Sequence, residues 1–292
     1  MTEPTKYPEN FDKYPQNVKD IIERDILKRE KDDPVRVAYD IALEMHDGQK
    51  RKGIEKLDYI THPVQVYDFV NRVLVRSGNV TKDEREVILA ASLLHDGIED
   101  YKKDEVKSGK IKPIGAVLDA EDTIIHRFVQ EVSPRSYKKV DDMIDLVFEL
   151  TNKLEFKDDK DNKITKIDWQ VDHIAQASTS AKLIKIADKT LNIMANIEEV
   201  PDWKYEALIK YVDEQTKVVR AAENSVRSDD KLAPAVLHAA KVYHFVAEHY
   251  KEIFDNMQKA GKKFPPDNAV AHLSLQEIDK YIATSKSGMG VG

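Results

Sequence analysis

The sequence predicts an all-α protein: an orthogonal helical bundle with a C-terminal helical extension. Three observations carry this. Glycine is scarce, at 10 of 292 residues, so few positions ask for left-handed backbone or interrupt a helix. Apolar residues recur at three- and four-residue spacing, and strand-like alternation is rare. Helix-start signals punctuate the chain, at Asp33-Pro34, at Thr81-x-x-Glu84 and at Ser274-x-x-Glu277.

The elements follow in order. Residues 1–12 are polar and proline-punctuated, a loose lead-in. A first helix is predicted from Tyr14 to Arg29, with Val18, Ile21, Ile22 and Ile26 on one face. Asp33 as N-cap and Pro34 at the first helical position open a second helix that runs to about His46. Gly48 to Thr61 reads as a loop, and His62-Pro63 opens a third helix through Leu74. The Thr81–Glu84 capping box starts a fourth helix, apolar on almost every face, that ends in His95-Asp96. Residues 101–119 are lysine-rich, with Gly109, Pro113 and Gly115, and read as a loop. Helices are expected at 120–131 and 137–153, and residues 155–167 lack any apolar period and read as a mobile surface segment. A second all-round apolar helix carries Leu183 to Met194. Long amphipathic helices are predicted at 202–227 and 232–258, then a short one at 275–285. There is no internal repeat. We divide the chain into an N-terminal segment and helix (1–33), a core (34–200), a helical extension of the same domain (201–286) and a disordered tail (287–292).

Bulk composition excludes several function classes. The net charge of −7 argues against a general nucleic-acid binder, which needs a basic face. It leaves room for an anionic small molecule, because one local patch or a metal reverses the field inside a cleft. Cysteine is absent, which removes disulfides, thiolate metal sites and cysteine nucleophiles together and fits a reducing compartment. No apolar run approaches the ~20 residues a membrane span needs, and Met1-Thr2-Glu3-Pro4 carries no apolar signal region. A cytoplasmic protein without a membrane partner is expected; homo-oligomerisation is left open.

The most informative stretch is Leu93-Leu94-His95-Asp96-Gly97-Ile98-Glu99-Asp100. A buried helix that suddenly carries one imidazole and three carboxylates must give them partners, since unpaired they cost several kcal/mol each or shift their pKa until neutral. One divalent cation partners such a cluster economically. Four positions are candidate metal ligands: His62 at a helix start, His95 and Asp96 at a helix end, and Asp188 interrupting an apolar helix. Separate helices converge on one point in a bundle. Two imidazoles and two carboxylates suit Mn²⁺, Fe²⁺, Zn²⁺ or Mg²⁺. Glu99 and Asp100 lie four residues beyond His95 and Asp96, one turn further on. That suits proton transfer rather than ligation. Taken singly, Asp188 also reads as an ion-pair partner of Lys185, and His62 as an ordinary helix start.

The order of these blocks, with their flanks, resembles the HD superfamily of metal phosphohydrolases. The resemblance is greatest to RelA/SpoT-type alarmone hydrolase domains and small stand-alone alarmone hydrolases. It runs through His46–Gly53, Tyr59–Val66, Ala90–Asp100, Leu146–Lys153 and Lys182–Asn192, about residues 34–200. It implies an HD-type bundle that removes pyrophosphate from the ribose 3′ position of guanosine tetra- or pentaphosphate, usually with Mn²⁺. On that likeness His62, His95, Asp96 and Asp188 hold the metal, and Glu99 and Asp100 are the catalytic acidic pair. Arg51, Lys52, Tyr59 and Asn192 contact the substrate. Read without it, Arg51 and Lys52 are equally solvated loop charges and Tyr59 equally a packing residue. The sequence departs from the pattern in a loop two residues longer between Arg51 and His62, in Lys189 for a common arginine, and in Leu191 for a histidine. These departures touch the nucleotide pocket more than the metal. Alternatives are therefore an HD phosphatase acting on dNTPs, nucleoside monophosphates or NADPH, or a non-catalytic nucleotide-sensing module. No βαβ pattern follows residue 200, which argues against a second, synthetic activity.

Overall fold

Helices in the computed structural model start where local chemistry satisfies their first free N–H groups. The structure describes residues 7–8, 10–51, 56–77, 79–101, 106, 108–152, 163–199 and 204–261. The predicted helix at 275–285, the tail at 287–292 and Lys52 lie outside them.

Helix α1 (Gln16–Ile21) passes into a single π-helical turn, Ile22–Ile26, that keeps Ile22 and Ile26 in the core. Asp33 accepts from Val35 N and caps α2 (Pro34–Met45). Helix α3 spans Thr61–Ser77. Thr81 and Glu84 form the expected reciprocal capping box on α4 (Lys82–Leu94). A four-residue turn, α5 (Gly97–Asp100), follows at once. Then come α6 (Pro113–Glu131), α7 (Tyr137–Leu150), α8 (Lys166–Gln176), α9 (Thr179–Glu199), α10 (Tyr205–Ser225) and α11 (Ala233–Lys259).

Two expectations need correction. The stretch 101–119 is not all loop, because Pro113 sits in the first turn of α6 and Gly115 inside it. A proline there loses no hydrogen bond, since that N–H has no helical partner anyway. The segment read as mobile at 155–167 ends in the start of α8, a helix not anticipated at all. Thr165 caps it by accepting from Asp168 N, and Trp169, Gln170 and Ile174 bury one face.

Two helices run through the middle. Helix α4 packs against α2, α3, α7 and α9, and α9 against α3, α4, α7, α10 and α11. Ile88, Leu89, Leu93 and Leu94 of α4 and Leu183, Ile184 and Ile186 of α9 are all buried. Each contributes about 1.5–3 kcal/mol of apolar burial. That explains why both sequences are apolar all round: every face has a neighbour. The described residues hold no strand, only an isolated antiparallel bridge between Lys50 and Asp58. Asp58 also accepts from Tyr14 Oη at 2.7 Å and from Asn10 Nδ2 at 3.3 Å, which ties the N-terminal segment to the loop ahead of α3. Among the described residues no helix is long and apolar enough to cross a membrane.

Candidate metal centre

Three helices meet at one buried point, each through a local irregularity. His62 is the second residue of α3, and its N–H bonds to Tyr59 O at 2.9 Å, so the helix start fixes its place. His95 closes α4, and Asp96, at φ −105°, turns the chain into α5. Gly97 lets that turn sit close on α2: a Cβ there would lie 3.1 Å from Met45 Sδ, and the Met45 side chain would have to shift by a few tenths of an ångström. Asp188 projects from the middle of α9.

His62, His95, Asp96 and Asp188 each offer one ligand atom, and those atoms all lie within 4.8 Å of one another. His62 Nε2 is 3.2 Å from Asp188 Oδ1 and 3.6 Å from Asp96 Oδ2. His95 Nε2 is 3.2 Å from Asp96 Oδ2 and 3.6 Å from Asp188 Oδ1. His95 Nδ1 lies 2.8 Å from Ser92 O. A carbonyl only accepts, so Nδ1 carries a hydrogen, and a cation that displaced the Nε2 proton would meet the ring's other lone pair inside the cluster. That Nε2 is buried and has no hydrogen-bond partner. An orphaned imidazole nitrogen aimed between two carboxylates is a donor set that a divalent cation fits.

The charges point the same way. Burial alone would strip a proton from His95, yet the Asp96 and Asp188 carboxylates push its pKa up to about 10. His62 goes the other way, lowered by burial that its bond to Asp188 only partly offsets. Burial disfavours the charged form of Asp188, but Lys189, then His62 and His95, hold it well below the usual carboxylate range. Asp96 is likewise held low against burial, chiefly by His95. The site demands positive charge.

Around this cluster the structure distributes the other predicted residues unevenly. Tyr59 Oη donates to Asp96 Oδ2 at 2.9 Å, and its ring leans on His46 with centroids 4.7 Å apart. Asn192 Nδ2 donates to Asp188 Oδ1 from one turn along α9. Both thus touch carboxylates of the cluster. Arg51 is half-buried and close enough to lower the basicity of His62. Asp100 is buried, and its carbonyl accepts from Gln49 Nε2 at 2.9 Å. Glu99 is not aimed freely at the cluster: its Oε1 accepts from Asn152 N at 2.8 Å and from Asn152 Nδ2, and its Oε2 lies 3.7 Å from Lys166 Nζ. Lys185 does not pair with Asp188. It donates to Leu150 O at 3.3 Å, and Lys189 takes the pairing instead, at 3.6 Å.

Asn152, Lys166, Gln170 and Lys189 are the neighbours that sequence reasoning missed. Asn152 and Lys189 lie inside resembling blocks, so their positions were in view but their partners were not. Lys166 and Gln170 sit on the unanticipated α8.

Comparison with known proteins agrees with this geometry. The family model described as HD domain matches residues 59–193, a span that contains all four clustered residues. Over that span the chain is similar to the HD-domain family. Curated relatives include the guanosine-3′,5′-bis(diphosphate) 3′-pyrophosphohydrolase MESH1 of Xenopus tropicalis, 29% identical over 63% of this chain and 81% of the relative. The human protein of the same name is 28% identical over 70% of this chain and 91% of its own length. A solved structure described as "A metazoan ortholog of SpoT hydrolyzes ppGpp and plays a role in starvation responses" aligns over 71% of this chain and 94% of its own. Its TM-score is 0.43 and its identity 23%. Beyond the matched span, α10 and α11 pack on α9.

Proposed function

We propose that this chain is a metal-dependent nucleotide phosphohydrolase whose substrate is (p)ppGpp, cleaved at the 3′-diphosphate. One observation carries the reading: two imidazoles and two carboxylates from three helices converge within 4.8 Å inside the span that is similar to the HD-domain family. The curated relatives named for that reaction support the choice of substrate.

His62, His95, Asp96 and Asp188 would hold one divalent cation, and the mixed nitrogen and oxygen donors suit Mn²⁺. When bound, such an ion supplies Lewis-acid charge at a phosphoryl oxygen and makes water acidic enough to react near neutral pH. The chain's own residues do the rest. Tyr59 and Asn192 fix the carboxylates of Asp96 and Asp188, which keeps the donor set preorganised. Glu99 takes a proton from the attacking water, and Asp100 serves the leaving side. Water adds at the phosphorus next to the ribose 3′-oxygen, that P–O bond breaks, and pyrophosphate leaves with guanosine 5′-di- or triphosphate. Arg51 and Lys52 bind the phosphates, with Arg51 able to bind bidentately. Lys166, Lys185 and Lys189 lie close enough together to feel one another's charge, and a field of that sign favours a polyanionic substrate. In this reading residues 34–200 hold the catalytic core, and 201–286 extend the same domain.

Lys189, Leu191 and the longer 51–62 loop favour a second reading, a phosphatase of the same chemistry on a dNTP, a nucleoside monophosphate or NADPH. One experiment separates these: incubate Mn²⁺-loaded protein with all of these nucleotides and identify the products. Pyrophosphate from (p)ppGpp supports the proposal, orthophosphate from NADPH or triphosphate from a dNTP supports the second reading, and no release from any nucleotide rejects both. Asp96→Ala should lose metal and turnover together. Glu99→Gln should keep the metal and lose most of the rate.

A further inference from the structure

Helix α8 contributes no candidate ligand, yet it reaches the site through a chain of amides. Glu99 sits at the end of the four-residue turn α5, partly open to solvent. Its Oε1 takes both the backbone N–H and the side-chain Nδ2 of Asn152, two residues beyond the end of α7. Asn152 Oδ1 in turn accepts from Gln170 Nε2 at 3.0 Å, and Gln170 is buried, 5% exposed, on the inner face of α8.

The polarity of this chain has one solution. An ionised carboxylate only accepts, so Asn152 must turn its NH₂ toward Glu99. Its carbonyl oxygen then faces Gln170 and needs a donor, which the Gln170 NH₂ provides. The donor–acceptor order Gln170 → Asn152 → Glu99 therefore clamps Oε1. It leaves Oε2 on the side of Lys166, itself 56% exposed on its side chain. A carboxylate with one oxygen held twice and the other facing only the loose, largely exposed Lys166 ammonium presents that second oxygen for proton exchange.

We propose that Asn152 and Gln170 are positioning residues that aim the Oε2 of Glu99 at the reacting water. This rests on the phosphohydrolase reading and on Glu99 as its proton acceptor. Neither amide touches substrate or cation. They act by removing the rotamer freedom of a three-torsion side chain and by fixing which oxygen is free, the kind of preorganisation that a misplacement of about 1 Å undoes.

The test is a double-mutant cycle on Mn²⁺-loaded protein. Gln170→Glu keeps the shape of the buried side chain but cannot donate. Asn152 is then driven to turn its NH₂ toward the new carboxylate and its oxygen toward Glu99. We expect kcat to fall about tenfold to a hundredfold, the range typical of outer-shell partners, with KM within about twofold and metal content unchanged. Asn152→Ala should act in the same direction and covers the case in which Gln170→Glu fails to fold. In a Glu99→Gln background either substitution should change kcat by less than about twofold, because groups that act as a unit are not additive. Equal losses in both backgrounds, or losses in metal content or KM instead of kcat, overturn the inference while leaving the phosphohydrolase reading intact. A wild-type protein that releases nothing from any nucleotide sinks both.

Discussion

Stripping the divalent cation should destabilise the fold as well as silence the site. Asp188 is buried and Asp96 partly so, and their ligand oxygens lie no more than 4.8 Å apart. Two like charges at that distance repel by about 3 kcal/mol at an effective dielectric near 20. In the stripped protein the His95 ring, its pKa pushed up to about 10 by these carboxylates, offsets part of this repulsion; a bound cation offsets more, and linkage sets the scale. A ligand at a hundred times its Kd stabilises the native state by about 2.7 kcal/mol. For a chain of this size that is a fall of about 4–5 °C in Tm on chelation. The assay is thermal unfolding of the same preparation with Mn²⁺, with chelator, and after Mn²⁺ is restored, with metal content measured alongside. Asp188→Asn supplies the control. It removes one candidate ligand oxygen and a carboxylate that Lys189, His62 and His95 hold in its charged form, so it should be no more stable than the stripped wild type and should lose the response to Mn²⁺. A Tm that ignores chelation, or an Asp188→Asn protein that keeps the full response, would refute the reasoning.

Other consequences follow from single contacts. Tyr59→Phe removes the donor to Asp96 Oδ2, and metal affinity by equilibrium titration should weaken about tenfold or more. Thr81→Ala breaks the capping box on α4 and should cost about 1 kcal/mol in a denaturant midpoint series. Asp58 responds to pH. Burial raises its pKa, but bonds from Lys50, Tyr14 and Asn10 outweigh that and hold it below its ordinary 3.8. A carboxyl with a depressed native pKa adds stability that is fully present above pH 3.8 and is lost as pH falls through the native value. The stability gap between wild type and Asp58→Asn should therefore be constant from pH 7 to about pH 5, then close in acid. A gap that persists unchanged in strong acid would show that Asp58 contributes by packing alone.

The parts of this protein legible from sequence are those where one residue's neighbours lie along the same helix. The capping box at Thr81, the Asp33-Pro34 start and the two all-apolar helices are local patterns, and they form as read. The convergence of His62, His95, Asp96 and Asp188 was legible for a different reason. An apolar helix that carries a charge has to find a partner for it, and only four such positions recur in the right order. Helix α8 was missed because it follows a long polar stretch and its inward face mixes buried Trp169 and Ile174 and partly buried Ile167 and Val171 with a buried glutamine. The start of α6 was missed because Pro113 and Gly115 were weighed as breakers when one is a first-turn residue and the other is tolerated. The pairing of Asp188 with Lys189 rather than Lys185, and the grip of Asn152 on Glu99, depend on side-chain direction across helices. Nothing in a one-dimensional pattern encodes that direction.

The distance along the chain between the first and last members of the cluster has a kinetic consequence. His62 and Asp188 face each other across 126 residues, so no fragment ending before α9 can assemble the donor set. A growing polypeptide would expose two histidines and a carboxylate long before the last one arrives. Tight metal capture is thus coupled to long-range closure of the bundle. Ion uptake would then report that the chain as far as α9 has closed, and a copy truncated before α9 would be told apart by its failure to retain the ion.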